Sequence, residues 1–150
     1  MYIKKEVLVV EDDPTYSKLW ERILKGVGVK HFHICKTAEE AHQWAAKKKP
    51  DLLISDVLLP DNNNGYRLAQ ELRRKNHGMT VLLTTGYKTD LRRFDLKNPS
   101  FHLLYKPYHQ LRQLQIFLEH LLAGEDPSSD APEDTFSENE DYPEVTEWNL

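Results

Sequence analysis

Four short stretches of the 150-residue chain carry residues whose chemistry is costly without a purpose. The acids Glu11, Asp12 and Asp13 close the apolar run "VLVV" (7–10). Asp56 interrupts "LLISDVLLP" (52–60), which otherwise reads as a buried strand. Thr84, Thr85 and Gly86 stand near the end of "VLLTTGY", and Lys106-Pro107 ends "LLYKP". A carboxylate at the end of a buried run is expensive unless it is paired, bound to a metal or exposed. Several carboxylates gathered in one pocket would repel by about 4 kcal/mol per close pair, at about 4 Å and an effective dielectric near 20. A divalent cation relieves that repulsion, and an all-oxygen site rich in carboxylates suits Mg²⁺, with Mn²⁺ as a substitute. Lys106 adds a second positive charge and a threonine hydroxyl adds a donor. Such a pocket would accept a phosphoryl group, and Asp56 could take it as an acyl phosphate.

These residues meet only if the intervening elements bring them together. Apolar runs of strand length occur at 7–10, 31–35, 52–55, 80–84 and 102–105, with helical spacing between them. Tyr16, Leu19, Trp20, Ile23, Leu24 and Val27 form one apolar face, opened by Asp13 as cap and Pro14 as first helical residue. Ala38, Ala41, Trp44 and Ala45 form a second behind Thr37, and Leu68, Ala69 and Leu72 a third behind Gly65. The stretch "DLRRFDL" (90–96) is a short, weak fourth helix; Leu111, Leu114, Phe117, Leu118, Leu121 and Leu122 give a strong fifth. Five strands alternating with five helices predict an α/β fold, a doubly wound parallel sheet covered on both faces. In such sheets ligands bind outside the carboxyl ends of the strands, where all four stretches fall.

The length suits one domain with a real core. The single cysteine, Cys35, excludes an intramolecular disulfide framework and fits a reducing compartment. No signal peptide is apparent, and no apolar stretch approaches the roughly 20 residues of a membrane span, so a soluble cytoplasmic chain is expected. The net charge of −4 hides an asymmetry. Ten of the 24 acidic residues lie in 124–150, which has no Lys or Arg, so residues 1–123 carry a net +6. The expected organisation is a domain over 1–123 and a disordered acidic tail over 124–150. That tail reads as a solubilising extension; the alternatives are a docking peptide in "YPEVTEWNL" or a segment that folds back on the basic domain.

The pattern "VLVVEDDP … LLISDVLLPDNNNG … VLLTTGY … LLYKPY" resembles the receiver domain of two-component response regulators, the CheY-like family with its flavodoxin-like sheet. The likeness covers about residues 4–123 and matches in residue type, order and spacing: 44 positions from Asp12 to Asp56, 29 to Thr85 and 21 to Lys106. It implies that Asp56 is the phospho-acceptor. Asp12 and, through water, Glu11 would hold Mg²⁺ with Asp56 and the backbone carbonyl of Leu58. Thr85, preferred to Thr84 because Gly86 leaves space beside it, would move to the phosphoryl group, and Lys106, followed by a cis proline, would pair with acceptor and phosphoryl. Asp13 fits a helix cap. The chain departs from the family at Leu103, where an aromatic switch residue is usual, the nearest aromatic being Tyr105. The glycine of "PDNNNG" also comes one residue later than usual. Leu58 and Tyr87 are bulky neighbours expected to shield an acyl phosphate for minutes or longer.

The resemblance further implies a sensor histidine kinase or histidine phosphotransfer protein as donor. A protein target would meet the face of the fourth helix, fifth strand and fifth helix, with no nucleic acid or membrane as partner. No catalysis is expected beyond self-phosphorylation and self-dephosphorylation, and the acidic tail favours a free-standing protein. The alternatives are a phosphate sink and an adaptor that works without phosphorylation. A phosphatase of the haloacid-dehalogenase type would need an acid at Leu58, and a flavodoxin-type cofactor binder would not place "EDDP" against a phosphate. His31 and His33, on one strand face, read as structural, because two histidines do not make a metal site. "KKK" (47–49) and "RRK" (73–75) end helices, where cations complement the dipole.

Overall fold

The computed structural model describes residues 3–86, 91–92, 94–95 and 97–124, and the backbone of 146–148. The elements follow in the order β1 (Ile3–Val10), α1 (Pro14–Gly26), β2 (Val29–Cys35), α2 (Ala38–Ala45), β3 (Leu52–Asp56), α3 (Gly65–Arg73), β4 (Thr80–Thr85), β5 (Phe101–Tyr105), α4 (Leu111–Ala123) and β6 (Thr146–Trp148). The sheet runs β2-β1-β3-β4-β5-β6 with every pairing parallel. The strand order reverses at β1, which opens a crevice between β1 and β3 at their carboxyl ends, the place where such sheets bind ligands.

Strand alternation splits the core in two. Val7, Val9, Ile54, Leu82 and Leu104 face α1 and α4, packing on Trp20, Leu24, Leu114 and Phe117. Leu8, Val10, Leu53, Leu83 and Leu103 face the other way, onto Ala41, Leu68 and Ala69. Central strands buried on both faces explain why β1 and β3 read as unbroken apolar runs. His33 stacks on Trp44 with ring centres 5.7 Å apart, a packing role. Burial pushes the Cys35 thiol up to about 12, so it is an inert core group.

Each helix start is built from its own sequence. Asp13 accepts from the Thr15 amide at 2.8 Å, ahead of Pro14. Thr37 Oγ1 accepts from the Glu40 amide, and Glu40 reaches back to the Lys36 amide at 3.0 Å. Asn64 caps α3 by accepting from the Arg67 amide at 2.7 Å.

Two expectations need correction. The fourth helix expected over 90–96 does not form among the described residues there; Asp90, Arg93 and Leu96 lie outside them. The apolar residues are buried all the same, Leu91 and Phe94 packing into the second core. The Phe94 amide donates to the Leu91 carbonyl at 3.0 Å, and the Tyr66 hydroxyl accepts from the Asp95 amide at 3.1 Å and donates to the Asp95 carbonyl at 3.2 Å. Four helices therefore cover the described sheet. The tail is also not wholly irregular. Thr146, Glu147 and Trp148 pair with His102, Leu103 and Leu104 to make β6. The outer edge of β5 offers unpaired backbone groups, and Thr and Trp are favourable strand residues. The remainder of the tail lies outside the described residues.

The loop after β3 controls the approach to the crevice. Asp61 and Asn62 both adopt the left-handed conformation (φ 62° and 59°), which Asp and Asn tolerate best after glycine. The turn closes with the Leu59 amide on the Asn63 carbonyl and the Gly65 amide on the Val57 carbonyl, at 3.1 and 2.9 Å. Gly65 itself packs so tightly that a Cβ there would overlap the Asp56 carbonyl oxygen and lie 2.7 Å from Ser55 Oγ. Gly65→Ala should therefore destabilise the fold by about 1–3 kcal/mol, read as a lower urea midpoint; an unchanged midpoint would show that α3 can shift freely away from β3.

Candidate functional site

The carboxyl ends of β1, β3, β4 and β5 converge on one acidic pocket. Glu11, one residue past β1, is tied to the sheet by its amide, which donates to the Cys35 carbonyl at 2.9 Å. Its side chain is buried, whereas Asp12 and Asp13 are exposed. Asp56 ends β3 and is also buried. One carboxylate oxygen from each of Glu11, Asp12 and Asp56 lies within 4.8 Å of the other two, an arrangement that could hold a metal ion.

Lys106 reaches in from the end of β5. Its Nζ stands 2.6 Å from Glu11 Oε1 and 2.8 Å from Asp56 Oδ1. The ammonium also lies 4.1 Å from the centre of the Tyr16 ring, a cation–π contact. Tyr16 in turn meets Tyr108 edge-on, and Trp20 does the same from the next turn of α1. Lys106-Pro107 is cis, as the family resemblance implies.

The electrostatics show what the pocket is short of. Burial and then the neighbouring Asp56 push the Glu11 carboxyl up to about 8, against the pull of Lys106. Burial opposes the Lys106 charge too, but hydrogen bonds and charge from Asp56 and Glu11 outweigh it and hold its pKa above the ordinary lysine range. One ammonium thus leaves three clustered carboxylates under-neutralised. A hard divalent cation with oxygen ligands fits this donor set.

The two threonines separate. Thr84 Oγ1 donates to Asp56 Oδ1 at 2.6 Å. Thr85 is the next residue along β4 and falls on the opposite parity, paired with Tyr105, with its hydroxyl buried and without a hydrogen-bond partner. Leu103 and Tyr105 are buried in the core on that second face. Gly86 is exposed, with open space where a Cβ would stand. Leu58 projects into solvent at 63% exposure. Tyr87 lies outside the described residues. Glu11, Asp12, Asp56 and Lys106 are therefore together as the sequence reading has them. Thr84, Tyr16 and Tyr108 are additions to the site. Their signal in the sequence, an extra hydroxyl beside Thr85 and the tyrosine of "KPY", acquires meaning only once strand register is known.

Residues 7–117 match the family model described as the response regulator receiver domain. Over 104 residues the chain is 28% identical to the phyllosphere-induced regulator PhyR of Methylorubrum extorquens, a match covering 69% of this chain and 38% of that protein. It thus spans well under half of that relative. The signal receiver domain of a signal transduction histidine kinase from Syntrophus aciditrophicus is 26% identical, with TM-score 0.63, covering 80% of this chain and 91% of that one. The signal receiver domain of an HD domain-containing protein from Pseudomonas fluorescens shares the fold, with TM-score 0.71 at 22% identity over 87% of this chain and 93% of that one.

Two measurements probe the charge balance. Glu11 is raised in the folded state from 4.5 to about 8, so the folded state binds the extra proton and stability falls as pH rises through that window. The urea midpoint in EDTA should therefore decline from pH 5 to pH 8, and Glu11→Gln should flatten the slope. Mg²⁺ should raise the midpoint at pH 7.5 by about 2.7 kcal/mol of stability at a hundredfold excess over its Kd. Asp12→Ala should abolish that gain; a gain that survives would place the ion elsewhere.

Proposed function

This chain belongs to the response regulator receiver domain family, and we propose that it accepts a phosphoryl group on Asp56 and passes the resulting change to a protein partner. The observation that carries this reading is the position of Asp56. It is a buried carboxylate at a strand end, held by Lys106 at 2.8 Å and faced by two further acids.

The donor is a phosphohistidine on a sensor histidine kinase or phosphotransfer protein. An Asp56 oxygen attacks phosphorus, the phosphorus–nitrogen bond breaks, and its electron pair leaves with the imidazole. Asp12, Asp56, the Leu58 carbonyl and, through water, Glu11 would hold Mg²⁺, which would supply charge neutralisation at the phosphoryl oxygens. Lys106 exchanges part of its bond to Glu11 for one to the phosphoryl group, which brings a further negative charge to the pocket. Thr85, whose buried hydroxyl has no partner, turns toward the new oxygens and gains a hydrogen bond there. That movement biases the adjoining surface, made of the segment before β5, β5 with β6 along its outer edge, and α4, toward one of two arrangements, which is how a local charge change reaches a partner. Turnover is confined to the chain's own phosphorylation and dephosphorylation. No helix among the described residues is long and apolar enough to cross a membrane.

Intact-mass spectrometry after incubation with Mg²⁺ and acetyl phosphate tests the proposal. A phosphoryl increment should appear in the wild type and be absent with EDTA and in Asp56→Ala. The label should persist for minutes or longer; Leu58 stands 63% exposed, so Leu58→Asn should shorten that lifetime only if the side chain folds over the loaded site. If neither acetyl phosphate nor beryllofluoride loads the site, the chain is an adaptor that works without phosphorylation.

A further inference from the structure

Asp56 Oδ1 receives two donors. Lys106 Nζ is one, at 2.8 Å, and the Thr84 hydroxyl is the other, at 2.6 Å. The register of β3 on β4 pairs Asp56 with Thr84, so the hydroxyl is delivered by the sheet itself rather than by a loop. Thr84 is only 1% exposed. Tyr108, 8% exposed, lies beside it with a buried hydroxyl, its ring braced edge-on by Tyr16 and Trp20. Water is therefore kept from this side of the carboxylate. The bond is short, has an ionised acceptor and sits in dry surroundings, three conditions that strengthen it. A β-branched side chain in a strand also has few rotamers with which to leave.

We propose that Thr84 sets the lifetime of the phosphorylated state by stabilising the free Asp56 carboxylate against the acyl phosphate. This rests on Asp56 being the acceptor. In hydrolysis, a water oxygen attacks phosphorus while the phosphorus–oxygen bond to Asp56 breaks. The electron pair of that bond returns to the carboxylate, and the water's proton passes to phosphate or solvent. Negative charge grows on the Asp56 carboxylate during this step. A hydrogen bond to an ionised acceptor is roughly twice as strong as one to a neutral carbonyl. Thr84 consequently holds the leaving group better than it holds the ester-like oxygen of the acyl phosphate, and hydrolysis is faster than it would be without the hydroxyl. In phosphoryl acceptance the same bond withdraws electron density from the nucleophile. Thr84 and Thr85 thus act in opposite senses: one favours the empty carboxylate, the other the loaded site.

The test follows decay of the phosphoryl mass increment after the small donor is removed, at fixed Mg²⁺. Thr84→Val keeps the side-chain shape and should lengthen the lifetime about tenfold, equivalent to about 1.4 kcal/mol. Thr84→Ala should act in the same direction and guards against a packing defect peculiar to valine. Thr84→Ser restores the hydroxyl and should return the lifetime to within about twofold of wild type, well short of the effect of losing a hydrogen bond to a charged group. A lifetime that is unchanged or shorter in both hydroxyl-free variants overturns the proposal, as does serine behaving like valine. A wild-type chain that never takes the label on Asp56 overturns the function on which it rests, and this assignment with it.

Discussion

Lys106 Nζ, 2.6 Å from Glu11 and 2.8 Å from Asp56, is the contact around which the pocket is organised. Two carboxylates buried this close would not both stay ionised without a cation between them. Lys106 serves from the end of β5, with its ammonium over the Tyr16 ring. Its single charge does not suffice, as the raised Glu11 carboxyl shows. The pocket thus carries an electrostatic deficit that a divalent ion would remove. A buried charge network of this kind is poor evidence for stability and better evidence for a site.

Everything else serves to keep that lysine and those acids at fixed distances. Parallel register sets Asp56 level with Thr84, and Thr85 level with Tyr105. Backbone bonds from Val57 to Thr84 and from Lys106 to Thr85, both 2.8 Å, carry the pairing past the formal strand ends. The site is therefore built at the ends of the sheet, and the loop from Leu58 to Asn64 runs beside it. Behind the sheet, Gly65 lets α3 approach the Asp56 carbonyl as no larger residue could.

How much of this can be read from the residues depends on the range of the interaction. The buried strands, the caps at Asp13 and Thr37 and the convergence of four strand ends are local patterns or follow from a general rule of parallel sheets, and the structure agrees with them. The stretch 90–96 misleads because burial of Leu91 and Phe94 looks like a helical face, while Asp95 is bonded through its backbone to Tyr66, almost 30 residues away. β6 misleads for the opposite reason: its surroundings are acidic and aperiodic, and only the open edge of β5 makes a strand there favourable. Thr84 and Thr85 are adjacent and chemically identical. Which of them touches Asp56 is decided by strand register, and a one-residue slip would exchange their faces.

The left-handed turn at Asp61 and Asn62 has a chemical consequence for the bond that follows it. Asn64-Gly65 is the kind of sequence in which the backbone nitrogen after asparagine attacks the side-chain amide, releasing ammonia and leaving a succinimide. In the folded chain both reactants are engaged: the Asn64 side-chain oxygen holds the Arg67 amide at 2.7 Å, and the Gly65 nitrogen donates to the Val57 carbonyl at 2.9 Å. Cyclisation would have to break both bonds and lose the start of α3 with them. The native turn therefore protects the chain from its own spontaneous ageing, and an isoaspartyl residue at position 64 would record time spent with the acceptor loop undone.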